Sequence, residues 1–244
     1  MIQQAKAKIF LADERGVNET STFQSRHTFN FGKYFNEHKI AFGDLYVLND
    51  DLLAGGGDIK MLVKEDSYIV LIPVAGAINY KDTDGSHHLV AAGQTKIVAA
   101  ERGTMMEISN PFREEQVNFL QIWIKTEQPK IPGSTSLITY DDVNENLNSL
   151  VQAVQLDGNF DQLPFALYIG KFSGRGETVY LAKNKTAGVY AFVIQGAFEI
   201  EGRLLHAGDG LALLHSATAE MEALSNDAII VLIELSNVPE NDFI

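Results

Sequence analysis

The sequence predicts an all-β protein of two tandem barrels with one minor helix, and three observations predict it. Its apolar runs are short and rich in β-branched and aromatic residues, glycine and Asx turns separate them, and one strand–glycine–strand pattern occurs twice. Runs of roughly four to eight such residues between turn signals read as strands of a sandwich or barrel. They fall at residues 68–74, 95–100, 119–126, 165–172, 189–194 and 228–235.

The repeat sets the domain organisation. Val74-Ala75-Gly76-Ala77-Ile78-Asn79-Tyr80 is echoed by Ile194-Gln195-Gly196-Ala197-Phe198-Glu199-Ile200. Each copy is followed by a second glycine turn, Ala92-Gly93-Gln94-Thr95 in one and Ala207-Gly208-Asp209-Gly210 in the other. The first copy is longer, which fits a hairpin at Asp84-Gly85. Glycine permits the tight turns, and two copies of one pattern imply two similar barrels, not a many-unit solenoid. We place the first barrel at residues 1–130 and the second at 131–244. The best helical spacing runs over 141–154, where Val143, Leu147, Leu150, Val151 and Val154 follow an Asp pair, although asparagines interrupt it.

Composition narrows the function classes. A chain of 244 residues that is 45% hydrophobic and 21% charged has enough apolar material for a sizeable core. A net charge of −13 disfavours direct binding to phosphate backbones. The absence of cysteine excludes disulfides, thiolate metal sites and cysteine nucleophiles. Neither a secretory h-region nor a membrane-length apolar stretch is present, so a cytoplasmic protein is expected.

The strand–Gly–strand–x-Gly-[Asp/Gln]–strand skeleton resembles the cupin (double-stranded β-helix, jelly-roll) barrel, and the chain looks like a bicupin. The segments Arg26-His27-Thr28-Phe29-Asn30-Phe31-Gly32-Lys33-Tyr34-Phe35 and Phe42-Gly43-Asp44-Leu45-Tyr46-Val47-Leu48-Asn49-Asp50-Asp51 sharpen this. With Phe119-Leu120-Gln121-Ile122-Trp123-Ile124 and Ser109-Asn110-Pro111, they resemble the motifs of the pirin family, in the same order. The resemblance implies a bicupin whose first barrel holds one iron through three histidines and a glutamate, and in some members oxidises flavonols such as quercetin.

The metal motifs depart from that pattern. An ungapped count between Asn49 and Gly76 puts the two histidines of H-x-H on Leu62 and Lys64. The G-x-x-H-x-E motif falls on Gly103-Thr104-Met105-Met106-Glu107-Ile108, replacing its histidine by Met106 and its glutamate by Ile108. Such iron needs imidazole nitrogens and a carboxylate, which Leu62, Lys64, Met106 and Ile108 do not supply. The expectation is therefore a pirin-like bicupin without metal or cofactor, its cavity formed at those four positions with Lys64 near the entrance. It would bind a small molecule or a protein partner and be monomeric. The alternative is a quercetinase-like, metal-dependent dioxygenase whose site has moved to His206, His215, Glu220 and Glu222.

Blander readings hold for most other candidates. Met105 and Met106 read as adaptable packing. Lys64 reads as an ion pair with Glu65 or Asp66, or as an anion contact. His87-His88 reads as a solvated turn, and His27 as packing in the N-terminal arm. Phe10, Tyr46 and Trp123 either line a pocket or fill the core. Ser25, Ser173 and Ser216 lack a nucleophile elbow, and Gly55-Gly56-Gly57 lacks the ending of a phosphate loop.

Overall fold

The computed structural model describes residues 6–81, 85, 87–129, 135–137, 140–156, 163–183, 186–236 and 238–239. The chain is nearly all strand. In order it forms β1 (Lys6–Phe10), β2 (Gly16–Glu19), β3 (Phe23–His27), β4 (Leu45–Leu53), β5 (Asp58–Leu62), β6 (Ser67–Ala75), β7 (Ala77–Lys81), β8 (His87–Ala91), β9 (Lys96–Ala100), β10 (Met105–Ser109) and β11 (Val117–Lys125). Then come β12 (Thr135–Leu137), α1 (Tyr140–Glu145), β13 (Ser149–Gln152), β14 (Val154–Leu156), β15 (Phe165–Phe172), β16 (Glu177–Leu181) and β17 (Gly188–Gln195). β18 (Ala197–Ile200), β19 (Arg203–His206), β20 (Gly210–Leu214), β21 (Thr218–Ala223) and β22 (Ala228–Leu235) complete it.

Each barrel is a large sheet closed over a small one. In the first, β2-β3-β4-β11-β6-β9 faces β5-β10-β7-β8; in the second, β1-β20-β17-β22-β15-β13 faces β16-β21-β18-β19. Strand alternation explains why the large sheets are apolar on both faces. From β11, Leu120, Ile122 and Ile124 enter the core between the barrels, while Phe119 and Trp123 enter the first barrel. From β22, Val231, Ile233 and Leu235 enter the shared core, while Ile230 and Leu232 enter the second barrel.

The sequence repeat has a geometric counterpart. Gly76 and Gly196 both have φ 78°, and the pairing slips one residue before each, beside Val74 and Ile194. A bulge followed by a left-handed glycine turns the chain out of the large sheet and into the small one, at the same place in each barrel.

Two expectations are corrected. The helix covers Tyr140–Glu145 alone, because Asn148 adopts φ 62° and residues 149–152 pair with β15 instead. An asparagine in the left-handed region ends a helix as glycine does. The strand Lys6–Phe10, placed by sequence with the first barrel, pairs instead with β20 of the second. The hairpin near residue 85 is present, with β7 pairing β8, although Asp84 lies outside the described residues.

Candidate functional site

The first-barrel strands that carry the metal motifs are β5 and β10, and their pairing fixes which side chains face inward. Met106 lies opposite Met61 and Ile108 opposite Ile59, whereas Leu62 lies opposite Met105. Met106 and Ile108 are fully buried, while Leu62 is 51% exposed and Met105 54%. The inner face of this layer is therefore Ile59, Met61, Val63, Met106 and Ile108.

Of the four expected cavity residues, the structure brings Met106 and Ile108 together inside the barrel and puts Leu62 and Lys64 outside. The correction is one residue of strand phase. The ungapped count sets the distance from Gly76, but alternation relative to β10 decides which side chains turn inward. Lys64 lies in the exposed turn between β5 and β6, where Asp66 Oδ1 accepts the Arg102 amide at 2.6 Å.

Facing this apolar layer is a polar one. Ser25 and His27 of β3, Asn49 and Asp51 of β4, and Gln121 and Trp123 of β11 are all buried on adjoining strands of the large sheet. Ser25 Oγ donates to Asp51 Oδ1 and Gln121 Nε2 donates to Asp51 Oδ2, both as short contacts. Trp123 Nε1 donates to Gln121 Oε1 at 3.2 Å, and Gln121 Nε2 also approaches Met61 Sδ at 3.6 Å. His27 Nδ1 lies 2.9 Å from Asn49 Oδ1 and 3.2 Å from Ser25 Oγ. Asn49 Nδ2 is buried without a hydrogen-bond partner.

Burial dominates the electrostatics. It pushes the Asp51 carboxyl up to about 7, although its bonds from Ser25 and Gln121 pull the other way. It lowers the pKa of His27, the Asn49 bond opposing and the Arg15 guanidinium assisting. Both shifts favour the neutral forms, as a low-dielectric interior requires.

The loop after β3 roofs the layer with rings. Phe31 lies 5.2 Å and Tyr34 6.3 Å from the His27 ring, centroid to centroid. Phe31 then meets Trp123 edge-on at 5.8 Å, and Tyr46 meets Trp123 at 6.2 Å. Asn30 closes the loop by bonding both the amide and the carbonyl of Asn36. Gly16 underlies Tyr34, where any β-carbon would overlap the ring. Phe23, Phe31, Tyr46, Ile59 and Met61 stay partly exposed and pack against this core.

The second barrel does not assemble the relocated site. His206 ends β19 and His215 follows β20, both exposed. Glu220 and Glu222 line an open groove of about 330 Å³ with Glu177, Glu199 and Glu201, and Arg175 pairs with Glu222. The inward residues of β21 are Ala219, Met221 and Ala223. Among the described residues, no three His, Asp or Glu side chains come together as a metal-binding group. Instead the second barrel buries Glu234, which accepts from Tyr180 Oη and from the Lys183 amide.

Fold and site together define a bicupin with an apolar inner face on β5 and β10 and a buried polar layer opposite it. The sequence matches the family profile described as Pirin over residues 11–124 and that of the quercetinase C-terminal cupin domain over 164–235. The chain belongs to the pirin family. It is 25% identical over 228 residues to quercetin 2,3-dioxygenase of Escherichia coli K12, covering 93% of this chain and 97% of that protein. It is equally identical over 225 residues to a pirin-like protein of Caulobacter vibrioides, covering 91% and 96%. The bacterial pirin YhhW of E. coli in complex with nickel(II) superposes with a TM-score of 0.73 at 25% identity, covering 95% of this chain and all of that one. A second YhhW structure gives 0.77 at 24% identity, covering 95% and 98%.

The polar layer explains what the family motifs build in this chain. Asn49 and Asp51 come from the N-D-D segment, and Gln121 and Trp123 from the L-Q-x-W-I strand. Their period-two spacing was the available signal that each pair shares one face. His27, read from sequence as packing, sits inside the network. The iron expected from the family does not fit this donor set. Two thioethers and three aliphatic side chains line the inner face of β5 and β10, and a hard ferrous ion needs nitrogen and oxygen ligands.

Proposed function

We propose that this chain is a bicupin that binds a small organic molecule in the mouth of its first barrel without a metal at the family's position. The observation that carries the reading is the inward set Ile59, Met61, Val63, Met106 and Ile108, set against the buried polar layer of Ser25, His27, Asn49, Asp51 and Gln121. Apolar walls with a few convergent polar groups are the usual makeup of a small-molecule site. The rings of Phe31, Tyr34, Tyr46 and Trp123 favour an uncharged, flat ligand. Elemental analysis after incubation with iron, nickel, copper, zinc and manganese tests the metal-free part of this reading, and we expect no stoichiometric metal. One tightly held metal per chain, lost in Met106→Ala, would refute it.

The second reading is a metal-dependent dioxygenase, favoured by relatives named quercetin 2,3-dioxygenase. It predicts quercetin turnover that a chelator abolishes. The replaced inward positions make it the weaker of the two.

A further inference from the structure

The outer sides of the two small sheets carry large apolar side chains that no described part of the chain covers. In the first barrel, Asp58, Lys60 and Leu62 of β5 lie level with Ser109, Glu107 and Met105 of β10. Glu107 and Ser109 lie level in turn with Lys81 and Asn79 of β7, and these with His87 and Leu89 of β8. Residues level across a sheet share one face. Since Met106 and Ile108 point into the barrel, this set points out. Leu62, Leu89 and Met105 are each more than half exposed on it.

Charge separates this face from its counterpart in the second barrel. Lys60 and Lys81 both reach Glu107, at 3.5 and 3.9 Å, and Asp58 stands two residues from Lys60 on β5. Two lysines and two carboxylates balance here, in a chain whose net charge is −13. The second barrel also exposes Val179, Leu181 and Leu204, but register lines up Glu177, Glu222 and Glu199 across three strands. Glu201 and Glu220 line the same groove. Laid on a copy of itself, that face sets carboxylate against carboxylate, which is unfavourable.

The first face laid on its copy does the reverse. A twofold axis along its strands puts Glu107 over Lys81 of the second copy, and the reciprocal contact with it. An axis across the strands puts Lys60 over Asp58 of the second copy. Self-complementarity of this kind is what a twofold pair requires, and such pairs are the commonest closed oligomers.

We infer that the outer face of the β5-β10-β7-β8 sheet docks a second copy of this chain, forming a twofold dimer. Leu62, Leu89 and Met105 supply its apolar contacts, and lysines meet carboxylates beside them. The inference does not depend on what the first barrel binds. The monomer expected from the sequence goes with a Leu62 turned into the barrel; the phase of β5 puts it on the outer face instead. Four strands of about five residues give a face of roughly 20 by 17 Å. That is the small end for a specific contact, so the dimer is weak and forms with rising concentration.

The test is sedimentation equilibrium of the full-length protein from about 1 to about 300 μM, a range that brackets weak interfaces. We expect the weight-average mass to rise from that of one chain towards twice that value. Leu89→Glu with Met105→Glu should weaken association about tenfold or more, as should Lys60→Glu with Lys81→Glu, which gives this face the charge of its counterpart. Leu181→Glu on the second barrel should leave association unchanged. A single-chain mass at every concentration, association that survives either pair of substitutions, or association lost in Leu181→Glu overturns the inference. A mass that climbs past two chains also overturns it, because open-ended growth is not a twofold pair. Should a double variant not fold, a nitroxide on Asn79→Cys decides, since the chain has no other cysteine. Dipolar coupling between labels on two copies is expected, and its absence at the highest concentration overturns the dimer.

Discussion

Asp51 is fully buried, and its carboxyl is pushed from an ordinary 3.8 up to about 7. The folded protein therefore holds a proton that the unfolded chain releases, and stability must fall as pH rises between those two values. Each pH unit in that window is worth about 1.4 kcal/mol, so stability should drop by roughly 3 kcal/mol between pH 5 and pH 8, most of it before pH 7. Asn is the neutral mimic of the protonated acid. In Asp51→Asn the amide oxygen can still accept from Gln121 Nε2, and the amide nitrogen can donate to Ser25 Oγ. The variant should lose the slope and keep the network. Urea unfolding of both proteins at pH 5, 6, 7 and 8 measures this. His27, whose pKa is lowered, adds a contribution of opposite sign, rising with pH up to its unfolded value, but it is common to both proteins and cancels in the difference. A stability difference between them that does not change with pH would show that Asp51 is ionised in the folded state and that the polar layer carries a net charge.

The remaining predictions concern packing and backbone. Met106→Ala should cost about 2–5 kcal/mol, because it empties a fully buried site, while Leu62→Ala should stay within about 0.5 kcal/mol. Equal costs in thermal unfolding would mean that the phase assigned to β5 is wrong. Gly76→Ala and Gly196→Ala each force a β-carbon into φ 78° and towards Val117 or Ser225, so each should destabilise by more than about 1 kcal/mol in urea titration. Tyr180→Phe strips a donor from buried Glu234 and should cost roughly 1–3 kcal/mol in urea titration. No measurable loss would argue that the Lys183 amide satisfies Glu234 without Tyr180.

What the sequence made legible was local. The runs at 165–172 and 228–235 are strands with those bounds, and the repeated glycines mark the same bulge and turn in both barrels. Asn49, Asp51, Gln121 and Trp123 could be assigned to their strands, but not to one network, because the bond from Gln121 to Asp51 that links the two strands joins residues 70 apart in the chain. The phase of β5 failed for a related reason. Counting from Gly76 carries no information on how β5 lies against β10, and one residue exchanges the inner face for the outer. At 141–154, apolar spacing alone suggested a helix, but a left-handed Asn148 and an available edge on β15 diverted the second half into a strand. His27 looked like packing because its partners come from other positions of β3 and β4.

The first strand has a consequence for how the chain is made. Lys6–Phe10 is synthesised about 200 residues ahead of its partner β20, with Lys6 opposite Leu214 and Phe10 opposite Gly210. On a ribosome adding about 5–20 residues per second, the strand waits some 10–40 s for its mate. Meanwhile the first barrel can close around the polar layer, but Ile9 and Phe10 have no sheet to join. The second barrel, once emerged, has an unpaired β20 edge until β1 returns to it. The pairing of β1 with β20 thus cannot form until the strands of the first barrel and most of those of the second have been made.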